Sequence, residues 1–248
     1  MLHDSASRRS ALLSVRTTGG VSAAEEQAAA AMIGEVLRGH PSAYAARLRV
    51  TAGPGYTLVQ VNLRVGPTDA RIQVAGTAVQ STIVMGADRL RSQIERITAG
   101  GGAWSSPFRP FAGQHTGAVI ARLKSCEPRT LTAPQAAAAL ADLDLHIHLY
   151  ADSATGADTV VFRVGSDLRV ASSAGPSSAS AGVPAGEDEV PTLTAAQATV
   201  RLKNAQSPFL FYTDAATGRG NVLYQRYDRQ LGLLAPVPRT TVAGGDAT

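Results

Sequence analysis

Thr192–Pro236 reads TLTAAQATVRLKNAQSPFLFYTDAATGRGNVLYQRYDRQLGLLAP. The same chain reads TLTAPQAAAALADLDLHIHLYADSATGADTVVFRVG from Thr130, 62 residues earlier. With Thr130 set on Thr192, 13 of the first 36 positions are identical, without a gap. A fixed internal offset is the first constraint on architecture, because each copy is one supersecondary unit.

Each copy repeats a mechanism as well as letters. Thr132 with Gln135, and Thr194 with Gln197, form the T-x-x-Q capping box that opens a helix. The spacing predicts helices over Ala133–Leu143 and Ala195–Ala205. Short apolar strands follow at His146–Tyr150 and Pro208–Tyr212. Next comes D-x-x-T-G, at Asp152–Gly156 and Asp214–Gly218. Aspartate can bond its own backbone there and glycine can take positive φ, which is turn chemistry between two strands. Return strands are expected at Thr159–Val164 and Asn221–Tyr227, and third strands near Leu168–Val170 and Gly232–Leu234. A unit of ~45 residues cannot bury its apolar sheet face alone. Two such units in one chain are expected to bury that face against each other, with Ile147, Leu149, Phe209 and Phe211 in or beside the shared core.

The remaining sequence divides into a head and linkers. Residues 1–10 are polar. A first strand is expected at Leu12–Thr17. Ser22 is a candidate N-cap, with Glu25 and Glu26 in the first turn at the positive end of the dipole. That helix is expected to run to Arg38, with Ala28, Met32, Val36 and Leu37 on its inner stripe. Strands follow at Tyr44–Thr51, Tyr56–Val65 and Ala70–Ala75. Their alternation puts Ala46, Leu48, Val50, Val59, Val61, Leu63, Ile72 and Val74 on one face. Arg47, Arg49, Gln60, Asn62, Arg64, Arg71 and Gln73 lie on the other. The expected strands carry four arginines and no acid on that polar face. A helix over Val79–Thr98 has Ile83, Ala87, Leu90, Ile94 and Ile97 as its packing stripe, with Arg89, Arg91 and Arg96 off it. The fold class is therefore α+β. Its head, residues 11–98, is β-α-β-β-β-α with two helices on a four-stranded sheet. Residues 128–171 and 192–238 are two tandem α/β-hairpin modules packed as an intramolecular pseudo-dimer. Residues 99–127 and 172–191 read as linkers. The aromatic residues Trp104, Phe108 and Phe111 in the first linker suit docking on a domain or stacking on bases. The tail after Pro238 reads as disordered.

Charge is placed unevenly. Residues 1–124 hold 14 Lys/Arg against 7 Asp/Glu, and residues 125–248 hold 9 against 12. The asymmetry points the first half toward a polyanion. An ordinary solvated basic surface is the alternative. A single cysteine, Cys126, rules out an intramolecular disulfide and a cysteine zinc cluster. No motif surrounds it, so it is expected to be inert. No run reaches the ~18–20 apolar residues of a membrane span, and the N-terminal apolar run is too short for a signal peptide. The expected location is cytoplasmic. His146 and His148 form an H-x-H pair, but Pro208 and Leu210 stand at the equivalent positions and no third ligand completes a metal site. Gly100–Gly102 lacks the G-K-[ST] of a phosphate loop. No acid/base pair or cofactor motif is present, so neither catalysis nor a cofactor is expected.

The capping box, F-L-F-Y-T-D-A-A-T-G, N-V-L-Y-Q-R and Y-D-R-Q-L-G-L-L together resemble the C-terminal domain of long ribosome hibernation-promoting factors, once labelled sigma-54 modulators. The first copy is looser, with Phe162-Arg163-Val164 where the second has Tyr224-Gln225-Arg226. Topology and charge extend the resemblance to residues 11–98. One head followed by a doubled module is similar to the dormancy-associated ribosome-binding factors of actinobacteria. The resemblance implies binding of small-subunit rRNA and ribosomal proteins at the decoding region. It also implies a block on mRNA and tRNA and stabilisation of inactive ribosomes under stress. Arg47, Arg49, Arg64, Arg71, Arg89, Arg91 and Arg96 are the expected RNA contacts, because guanidinium groups pair bidentately with phosphate. The first helix departs from that pattern by carrying Glu25, Glu26 and Glu35, which would weaken binding there. Tethered modules face each other at about millimolar effective concentration. The chain should therefore be a monomer on single ribosomes. A non-enzymatic, protein-binding adaptor of a stress response is the alternative.

Overall fold

Alternation of apolar and polar residues in Leu13–Gly19 (β1) opens the computed structural model, which describes residues 13–101, 119–175, 183–186, 189–205 and 207–237. Ser22 caps α1 (Ala23–Arg38) in a capping box with Glu25. Then come β2 (Ala43–Gly53), β3 (Tyr56–Val65), β4 (Thr68–Gly76) and α2 (Val79–Thr98). The sheet order is β1-β2-β3-β4, with β1 parallel to β2 and the other pairs antiparallel. The inner face is Ala46, Leu48, Val50, Val59, Val61, Leu63 and Ile72, all buried under Ile83, Ala87, Leu90 and Ile94 of α2. Helix α1 adds Ala29, Ile33, Val36 and Leu37.

The inner stripe of α1 thus lies one residue beyond the expected start: Ala29 is buried while Ala28 is exposed. In an alanine-rich helix the small side chains mark the inner face weakly. The buried Ile33 decides the phase. A bulge between Tyr44 and Arg47, with Ala45 at φ +53°, lets β2 begin earlier than expected. Strand β4 also starts earlier, so Asp69 lies on the sheet opposite Arg64. The polar face therefore does carry an acid, because the turn is tighter than Gly66-Pro67 suggested.

Both C-terminal copies fold alike. The first has β6 (Thr130–Leu131), α3 (Ala133–Asp142), β7 (Ile147–Asp152), β8 (Asp158–Val164) and β9 (Asp167–Ser172), in sheet order β6-β7-β8-β9. The second has β10 (Thr192–Leu193), α4 (Ala195–Asn204), β11 (Phe209–Asp214), β12 (Gly220–Gln225) and β13 (Leu231–Pro236). Thr194 and Gln197 make the reciprocal capping bonds, and Thr132 and Gln135 repeat them at 3.0 and 3.4 Å. Asp152 Oδ1 accepts from the backbone N–H of Ala154 and Thr155; Asp214 Oδ1 accepts from Ala216 and Thr217. Gly156 and Gly218 close these turns at φ +69° and +64°, as their sequence required.

One further strand, β5 (Ile120–Cys126), lies inside the stretch read as the first linker. It pairs parallel to β13 and completes a sheet β10-β11-β12-β13-β5. In the stretch read as the second linker, Val183 is buried and Ala185 bridges Val170. The chain divides into two compact units. One comprises residues 1–112, 137–148 and 163–167; the other comprises 113–136, 149–162 and 168–248. Among the described residues, no helix is long and apolar enough to cross a membrane. Residues 1–10, Trp104, Phe108, Phe111 and the tail after Pro238 lie outside the described residues.

Candidate nucleic-acid interface

Strand register assembles the basic face. Arg16 on β1 is the Cα partner of Arg49 on β2, which in turn faces Gln60 on β3. One step along, Arg47 faces Asn62, and Asn62 faces Arg71. Side chains directly opposite on one face of a sheet are neighbours about 5 Å apart at Cβ. Arg16, Arg47 and Arg49 are exposed. None of the three has an ion-pair partner among the described residues. Arg16 was not among the expected contacts, although Leu13-Ser14-Val15-Arg16 carries the same alternation that placed Arg47 and Arg49. Three adjacent uncompensated guanidinium groups suit the spaced phosphates of a nucleic-acid backbone.

The other expected arginines separate from this row. Arg64 is exposed at the sheet end, donates to the Pro67 carbonyl at 2.8 Å, and lies 3.6 Å from Asp69. Arg71 is half-buried. Arg91 is exposed on α2 and meets Asp88 at 3.1 Å, within one helical turn.

Arg89 and Arg96 are committed to carboxylates of the same compact unit. Arg89 Nη2 donates to Asp144 Oδ1 at 2.9 Å, with side chains 16% and 7% exposed. Arg96 Nη2 donates to Asp142 Oδ1 at 2.6 Å, at 12% and 24%. Asp144 also accepts from the backbone N–H of Gln73, on the edge strand β4, at 2.9 Å. Between the two arginines, buried Gln93 donates to the carbonyls of Ala141 and Asp142 at 2.9 and 2.7 Å. Two of the expected RNA contacts, Arg89 and Arg96, thus carry ion pairs within the protein. Asp142 and Asp144 lie about 50 residues away in sequence, which is why spacing within α2 does not reveal them.

His146 and His148 are both half-buried. Burial, reinforced by the positive charges of Arg163, Arg89 and Arg71, pushes His146 down to about 3, so it is neutral at physiological pH. Among the described residues no cluster of His, Cys, Asp and Glu could hold a metal. Cys126 is a free thiol, pushed up by burial and by the Asp158 carboxylate, which suppresses thiolate reactivity.

An aromatic contact joins one residue of each C-terminal copy. The rings of Phe162 and Phe209 lie 5.6 Å apart at 70°, edge to face. Phe211 and Leu149 are buried; Ile147 and Phe209 are half-buried. Tyr212, Leu223, Leu231 and Leu233 pack instead under Ala198 and Leu202 of α4, in a core of the second copy's own.

Comparison with known proteins adds the following. Residues 183–233 match the family described as sigma 54 modulation/S30EA ribosomal protein C terminus. The chain is 37% identical over 241 residues to a dormancy associated translation inhibitor of Mycobacterium tuberculosis, in strains CDC 1551/Oshkosh and H37Rv, covering 90% of this chain and 88% of that protein. Among solved structures, a ribosomal subunit interface protein from Coxiella burnetii is similar at 12% identity and a TM-score of 0.32, covering 35% of this chain and 97% of that one. The N-terminal domain of Thermus thermophilus Protein Y is similar at 11% identity and 0.31, covering 35% and 98%.

Proposed function

The chain belongs to the long ribosome hibernation-promoting factor family, and on that premise we propose that it inhibits translation by seating its head on the small ribosomal subunit. The observation that carries this reading is the open row of Arg16, Arg47 and Arg49. Ribosomal RNA is recognised largely by backbone and shape, and guanidinium groups on a rigid sheet suit that task. In this reading the head occupies the decoding region and excludes mRNA and tRNA. No bond is made or broken. Arg64 and Arg91 extend the contact at the margins, Arg71 lies behind it, and Arg89 and Arg96 hold the protein together.

The second part of the proposal concerns stoichiometry. The two C-terminal copies close on each other within one chain, as an internal pseudo-dimer. The edge-to-face pair Phe162–Phe209 and the ion pair of Asp158 with Arg219, 2.7 Å at its shortest, support this. A chain whose pairing faces are already occupied stays monomeric and stabilises single, inactive ribosomes under stress.

Cosedimentation through sucrose gradients tests both parts. The expected result is one chain per single ribosome, with translation in a reconstituted system falling as the chain is added. With about six phosphate contacts, binding should weaken roughly 10³-fold from 50 to 200 mM salt. Abundant paired ribosomes would refute the internal pairing. Absence of the chain from the ribosomal fractions would refute the binding itself.

A further inference from the structure

We infer that Asp158, Arg219 and Gly220 form a pairing code by which each C-terminal copy accepts the other copy and rejects its own kind; this rests on the closed arrangement proposed above. The first copy has Ala157-Asp158 where the second has Arg219-Gly220. These equivalent positions meet. The Gly220 N–H donates to Asp158 Oδ2 at 2.9 Å. Arg219 closes on both oxygens, Nε to Oδ2 at 2.7 Å and Nη2 to Oδ1 at 2.9 Å. The carboxylate is 2% exposed and the guanidinium 12%. Arg219 Nη1 also donates to the Val237 carbonyl. A bidentate, charge-assisted pair is fully specified in geometry.

Meeting of equivalent positions is the signature of two-fold pairing, where one patch contacts its own counterpart. Here equivalent positions meet, but the two copies place unlike residues there. First copy against first copy would set two Asp158 carboxylates face to face, with alanine where a guanidinium is needed. Second copy against second copy would bury Arg219 with no carboxylate. Only the mixed pair balances its charge. Sterics add a further demand. A Cβ at position 220 would lie 2.7 Å from the Asp158 Cβ and 2.8 Å from the Phe211 ring, so glycine is the residue that fits opposite the aspartate. Wrong pairs are thus excluded by repulsion and crowding as well as by lost attraction. Exchange of copies between two chains also satisfies the code, but must compete with tethering in one chain.

Two converted full-length chains test the code. Arg219→Ala with Gly220→Asp makes both copies acidic. Ala157→Arg with Asp158→Gly makes both copies basic. Sedimentation velocity and thermal unfolding are read for the parent, each converted chain and their equimolar mixture. The parent is expected at the mass of one chain. Each converted chain alone should lose roughly 5–15 °C in Tm. Mixed, the two should form a two-chain species and regain at least half of that loss. Converted chains that melt within about 2 °C of the parent, or a mixture without a two-chain species, would overturn the code. A parent that itself sediments as two chains would overturn the closed arrangement and leave the code standing, since exchanged copies make the same mixed pair; the two failures are read on different samples.

Discussion

Arg47 and Arg89 belong to one head and carry the same charge, yet their surroundings differ. Arg47, with Arg16 and Arg49, stands exposed on a sheet face with no ion-pair partner among the described residues. Arg89, with Arg96, is mostly buried against Asp144 and Asp142. The lesson is that a basic composition does not define a basic surface. A guanidinium group available to a phosphate is one whose own fold has left it unpaired. The alternation of β1 and β2 leaves Arg16, Arg47 and Arg49 in that state, whereas the residues from Ala141 to Asp144 capture Arg89 and Arg96.

The largest effect that separates the two sets is on stability. Asp144→Ala strands the mostly buried Arg89 and the Gln73 N–H together, and should cost about 3–5 kcal/mol. Denaturant unfolding checks this, and ribosome affinity measured where the variant is still folded should be unchanged. Next comes binding. Arg16→Glu, Arg47→Glu and Arg49→Glu combined should weaken ribosome affinity by on the order of 10²–10³-fold while leaving Tm within about 2 °C. A Tm that falls with affinity would show that the open row is structural too.

A third effect is pH-dependent. His146 is held neutral down to about pH 3 by burial and by the nearby Arg163, Arg89 and Arg71. The unfolded chain takes up a proton near pH 6.5 and the folded chain does not, so this residue's contribution is lost as pH falls below 6.5. From pH 6.5 to 5.5 the expected loss is about 1 kcal/mol. His146→Gln should remove that part of the slope. The smallest effect compares the two C-terminal copies. Thr132→Ala and Thr194→Ala each delete one capping box and should each cost about 1 kcal/mol. Similar losses would show that the copies share their scaffold and differ at the pairing face.

Much of this architecture was readable from sequence because it rests on local chemistry. Capping boxes need two residues three apart, and the Asp-x-x-Thr-Gly turns need five; both copies carry them intact. The α2 stripe from Ile83 to Ile94 is similarly local. The missed features depend on distant partners. Strand β5 is largely exposed and shows no clean alternation, and its partner β13 follows more than a hundred residues later. The Asp142 and Asp144 pairs join separate segments. So does the union of Asp158 with Arg219, although aligning the copies at offset 62 already exposes the unlike residues at these positions. Arg16 was the avoidable omission, since its strand follows the same period as the two beside it.

The most direct measurement is the affinity of the full chain for purified bacterial small ribosomal subunits between 50 and 200 mM salt, with and without Arg16→Ala, Arg47→Ala and Arg49→Ala together. Binding through the open row predicts a fall of about 10³-fold for the parent and a log–log salt slope shallower by about 2–3 for the triple variant. Equal slopes for the two chains, or no measurable affinity of the parent at the lowest salt, would contradict it.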